Sequence, residues 1–61
     1  MQVTITINTD NDAFKPDDRA EVARILRALA VRIAVHHDFA PGQEIPIFDY
    51  NGNKVGICTV E

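Results

Sequence analysis

The sequence predicts a small α+β domain of order β-α-β-β, with a three-stranded antiparallel sheet of strand order 1-3-2 and one helix packed on one face. Three observations predict it. Residues 2–8 alternate in polarity, residues 16–37 carry an apolar stripe at helical spacing, and Asn51-Gly52 sits between two apolar runs. Sixty-one residues allow one domain, spanning 1–61.

In the first segment Val3, Ile5 and Ile7 point one way and Gln2, Thr4, Thr6 and Asn8 the other. That period of two, with β-branched residues, is a half-buried strand. Thr9 to Lys15 reads as a loop, because the side chains of Asp10, Asn11 and Asp12 bond to nearby backbone groups. Phe14 is expected to anchor it in the core. The helix is expected to start near Pro16, which suits a first helical position. Asp17, Asp18 and Glu21 place negative charge at the positive end of the macrodipole. Asp18 and Glu21 also have capping-box spacing. Val22, Ile25, Leu26, Leu29 and Ile33 form the buried stripe, and the helix body is expected to run to about His37. Such a helix spans about 31 Å and should overhang strands of about 23 Å at its His36-His37 end. Phe39 folds back after it, and Pro41-Gly42 ends any continuation.

The last two segments, Ile45–Tyr50 and Lys54–Val60, form a hairpin around Asn51-Gly52, a strong short-range hairpin signal. Two registers are open. A two-residue turn pairs Tyr50 with Asn53 and sets Phe48 opposite Val55. A three-residue loop with a bulge at Gly52 pairs Asp49 with Asn53 and puts Ile45, Ile47, Val55 and Ile57 on one face. The second is preferred for its uniformly apolar face, although a slip of one residue exchanges the whole core set. Pro46 cannot donate to a ladder, so its strand belongs at an edge and the third strand at the centre.

The composition narrows the function. A chain of this size has one core, which rarely supplies more than about 3–5 kcal/mol. Cys58 is the sole cysteine, so an intramolecular disulfide is excluded and a reducing compartment is expected. Met1 leads straight into a strand with no apolar leader, and no apolar run approaches a membrane span. A cytoplasmic setting is expected. The net charge of −3 argues against a strong field for nucleic acid.

No residues assemble into catalytic chemistry, so no enzyme, cofactor or metal is expected. His36 and His37 are adjacent, and adjacent helical residues point about 100° apart, too far to chelate one ion together. Asp10, Asp12, Asp17 and Asp18 lack the glycine that a calcium loop needs at its sixth position. Cys58 lies on a strand, with no helix N-terminus to activate it.

What remains is apolar surplus. In the preferred register Phe48, Tyr50, Cys58 and Val60, with Pro46, lie on the sheet face opposite the helix. On the helix back Ala28, Val31 and Val35 sit among Arg24, Arg27 and Arg32. Contiguous apolar patches mark interaction sites. The expected role is therefore protein–protein interaction, first as a homodimer formed by face stacking or by pairing along the edge of the first strand. The rival reading is an accessory nucleic-acid factor that uses the arginine face.

Three segments, TITINTDNDAF, EVARILRALA and DYNGNKVG, together resemble a group of small uncharacterised proteins of tailed phages and prophages. The resemblance covers most of the chain except residues 35–44. It implies the cytoplasm of a bacterial host and a host or phage protein as partner, including host defence complexes. It implies no activity and assigns no functional residue.

Overall fold

The computed structural model describes residues 1–35 and 39–61. It has one helix and a three-stranded antiparallel sheet of order β1-β3-β2, with β1 at Val3–Ile7, β2 at Glu44–Phe48 and β3 at Lys54–Val60. A short 3-10 turn, Asp12–Phe14, precedes helix α1, Asp18–Ala34. The helix packs against the sheet.

Pro16 lies outside the helix. Asp17 is the cap, its carboxylate accepting from the Arg19 N–H at 3.1 Å, so α1 begins two residues later than proline placement predicts. Val35 leaves helical geometry at φ −101°, ψ 3°. At 17 residues the described helix spans about 26 Å. His36, His37 and Asp38, where the end was placed, lie outside the described residues. Phe39 does return to pack on the core.

The buried line of α1 is Glu21, Ile25 and Leu29, with Val22 and Ile33 half-buried beside it. Leu26, expected in the stripe, is 43% exposed. Phe14 anchors the loop in the core, as expected, at 1% exposure.

The hairpin loop is the three-residue form. The Asp49 N–H donates to Asn53 O at 2.9 Å, the Gly52 N–H to Asp49 O at 3.0 Å, and Gly52 takes φ 85°. Gly at this position is what a bulged loop requires. A second irregularity then changes the phase of β3. Ile47 pairs with Gly56 but Phe48 pairs with Lys54, so Val55 is an extra residue. Ile45 and Ile47 are buried, as expected, and so is Val55. Beyond the bulge the face reverses. Cys58, opposite Ile45, is 0% exposed, Val60 is 2% exposed, and Ile57 turns to the other face. Cys58 and Val60 were expected on the uncovered face and are enclosed within the single chain.

Candidate functional site: a polar clamp and two bare apolar surfaces

Two buried carboxylates hold the hairpin to the rest of the chain. Asp49 accepts from the Asn51 N–H at 2.8 Å and the Asn53 N–H at 2.9 Å. It accepts from Asn11 Nδ2 at 2.8 Å and Asn53 Nδ2 at 3.3 Å as well. The first two bonds make Asp49 the organiser of the Tyr50-Asn51-Gly52 loop. The Asn11 bond joins the hairpin to the 3-10 turn, whose Ala13 N–H donates to Asn11 Oδ1 at 2.8 Å. Glu21 takes the Arg24 guanidinium on both oxygens, from Nε at 2.7 Å and Nη2 at 2.9 Å. Its Oε2 also accepts the Tyr50 N–H at 2.9 Å, tying the hairpin tip to the first turns of α1.

Both carboxyls titrate below their ordinary values. The Arg24 bond lowers Glu21 most; burial opposes it and the Tyr50 N–H adds to it. Burial pushes Asp49 up, but the donors from Asn53, Asn11 and Asn51 outweigh it. Among the described residues no buried side-chain nitrogen or oxygen lacks a partner. These carboxylates are therefore satisfied clamps rather than groups poised for proton transfer.

The clamp places the first bare surface. Arg24 Nη2 lies 3.5 Å from Phe48 O, so this flank of the helix is turned toward β2. Arg24, Ala28, Val31 and Val35 follow one another at three- and four-residue steps along that flank, with Arg24 at the hairpin end. All four are exposed, Val31 and Val35 about two-thirds so, and Phe48 and Tyr50 are exposed in the hairpin. Of the residues expected to form an interaction surface, the structure brings Arg24 to Phe48 O and leaves Ala28, Val31 and Val35 exposed along the same side of the helix. Arg27 is exposed further round the helix, and Cys58 and Val60 are not part of the surface. Arg24, committed to Glu21, is a poor phosphate ligand.

The second surface was not expected where it is found. Val3 and Ile5 pair with Val60 and Cys58, so they lie on the helix side of the sheet, yet they are 41% and 43% exposed. Leu26 lies about 200° around the helix from Arg24, on the flank turned away from β2. The sheet face opposite the helix carries Thr4, Thr6, Glu44 and Thr59 with Pro46, Ile57 and, by alternation along β2, Phe48, which was expected there.

An open depression of about 590 Å³ is lined by Asn8, Asp10, Asn11, Lys54 and residues 55–57. Asn11 is already used by the clamp, and Asp10 and Lys54 face open solvent. No three of His, Cys, Asp and Glu come together as a metal-binding group among the described residues. No helix among them is long and apolar enough to cross a membrane. Comparison with protein-family models, with curated proteins and with solved structures finds no match to this chain.

Proposed function

We propose that this is a non-enzymatic protein–protein interaction protein, one that associates with a second copy of itself and engages a further protein through the α1 flank and hairpin tip. The observation that carries the reading is the amount of large apolar side chain left bare on so small a chain: Val3, Ile5, Leu26, Val31, Val35, Phe48 and Tyr50 are all more than 40% exposed. Isolated exposed apolar residues are ordinary, but seven large ones on a chain of 61 residues favour partners. The two buried carboxylates, Glu21 and Asp49, are consumed by the clamp. With the resemblance to small tailed-phage proteins, the setting we assign is a bacterial host's cytoplasm and the further partner a host or phage protein.

The test is affinity capture from host lysate with the wild type and with a Val31→Lys, Val35→Lys double variant. One stoichiometric protein held by the wild type and lost by the variant supports the reading. Equal capture by both sinks the assignment to this flank.

A further inference from the structure

The two edges of the sheet are defended differently. β2 carries Glu44 and Pro46, both devices that discourage another strand from pairing. β1 carries neither of them. From Gln2 to Thr9 there is no charge, proline or register shift.

The ladder shows which groups this bare edge offers. The Gln2 N–H donates to Glu61 O and the Glu61 N–H to Gln2 O, both at 2.8 Å, while the Asn8 N–H donates to Val55 O at 2.8 Å. Alternate residues bond across an antiparallel pair. Gln2, Thr4, Thr6 and Asn8 therefore face β3, and Val3, Ile5 and Ile7 point their N–H and C=O groups outward.

We propose that this edge is where a second copy of the chain docks, antiparallel and centred on Ile5, joining two three-stranded sheets into one of six; this rests on the self-association proposed above. The argument for that occupant is the strand's own symmetry. Val3-Thr4-Ile5-Thr6-Ile7 reads almost the same in both directions. With Ile5 opposite its counterpart, Thr4 meets Thr6, Val3 meets Ile7 and Gln2 meets Asn8. Pairs 3/7, 5/5 and 7/3 are the ones whose backbone groups point outward, so they exchange hydrogen bonds across the axis. Threonine pairs and β-branched apolar pairs are favourable cross-strand neighbours. A slip of one residue sets Thr opposite Val or Ile at every position and ends the like-with-like pairing.

The two-fold axis runs perpendicular to the sheet, so both helices lie on the same face. Val3 and Ile5, bare on that face, then border their counterparts along the seam. The Leu26 flanks turn toward it. A standard interface covers about 800 Å² per partner, a large share of a chain exposing 4213 Å². A five-residue edge covers less, so the dimer is expected to dissociate on dilution.

The test is mass by light scattering across about 1 to 100 µM, with fold followed by circular dichroism. The wild type is expected to shift toward twice 6.8 kDa as concentration rises. Ile5→Pro removes an outward N–H without touching the β3 ladder, and is expected to leave a folded monomer. Should that variant not fold, Ile5→Lys sets two like charges across the axis and is expected to weaken dimerisation by about tenfold or more. Because Cys58 lies directly across β3 from residue 5, the cross-link is tried with Cys58→Ala: Ile5→Cys is then expected to form a disulfide-linked dimer on mild oxidation and Thr4→Cys is not, because only residue 5 meets itself. A wild-type monomer throughout overturns both the self-association and this geometry, leaving the edge to an extended segment of another protein. A dimer that survives both Ile5→Pro and Ile5→Lys overturns the β1 geometry alone.

Discussion

Gly56→Ala should be the most damaging single-methyl change in the chain. Gly56 pairs with Ile7 on one side and Ile47 on the other, next to the extra residue Val55. A Cβ placed there would fall inside the Thr6 carbonyl oxygen and lie 3.0 Å from Thr6 C and 3.1 Å from Ile7 Cα. All three atoms are backbone, so no side-chain rotation relieves the overlap and β1 must move away from β3. Overpacking costs about 1–3 kcal/mol, and a rigid neighbour puts this case at the upper end. Alanine also restricts the unfolded chain, which returns about 0.4–1 kcal/mol. The net loss is about 2 kcal/mol, from a total of roughly 3–9 kcal/mol for a domain of this length. With a urea slope near 1 kcal/mol/M, the unfolding midpoint should fall by about 2 M. Hydrogen exchange should show the Asn8 N–H, bonded to Val55 O beside this contact, losing protection ahead of β2. A midpoint within 0.5 M of wild type would refute the claim that Gly56 is held by the close approach of β1.

Other perturbations test the core, the cap and the clamp. Phe14→Ala removes the buried anchor of the loop and should cost about 3–5 kcal/mol, enough to leave most of the chain unfolded by circular dichroism at 25 °C. Asp17→Ala removes the helix cap and should cost about 1 kcal/mol, with Asp17→Asn retaining most of that stability in a thermal melt. Glu21 and Asp49 both have folded pKa values below their ordinary ones, so their stabilisation is present above the carboxylate range of about 4 and is lost as pH falls through the folded values. The urea midpoint should therefore drop between pH 5 and acid, and the Glu21→Gln, Asp49→Asn double variant should show a smaller drop from a lower starting point.

Much of the fold is legible because its signals are local. The alternation of residues 2–8 forms β1, Asn51-Gly52 forms the hairpin loop with Gly52 at positive φ, and Pro46 places β2 at an edge. The phase of β3 was misread because a strand pattern alone does not show where an extra residue enters. A sign of it was present: a lone glycine inside a strand marks a bulge or a close backbone approach, and Gly56 is next to one and makes the other. Asp49 could also have been recognised, since an aspartate two and four residues before Asn51 and Asn53 is placed to accept their N–H groups. The spacing of Glu21 and Arg24 shows their ion pair, but the tie from Glu21 to the hairpin had no such sign, because its other partner is the N–H of Tyr50, 29 residues away, and only the tertiary arrangement brings the two together.

That long-range bond bears on where the apolar surplus ends up. Glu21 holds the hairpin tip, Arg24 reaches Phe48 O, and Asn11 holds Asp49, so among the described residues the polar side-chain ties of the helical layer to the sheet run to the β2–β3 hairpin and not to β1. A helix with its side chains is about 10 Å across, whereas three strands at about 4.8 Å spacing present a wider face. A helix tethered toward β2 leaves the far side of that face uncovered, and Val3 and Ile5 are the residues found there. The polar clamp that fixes the hairpin thus also determines which strand is left bare. The strand left bare is the one with no charge, no proline and a near-symmetric sequence. An Asp49 or Glu21 variant that loosened the clamp should therefore alter the exposure of β1 as well as stability, and hydrogen exchange at the Val3 and Ile5 N–H groups would read both effects in one experiment.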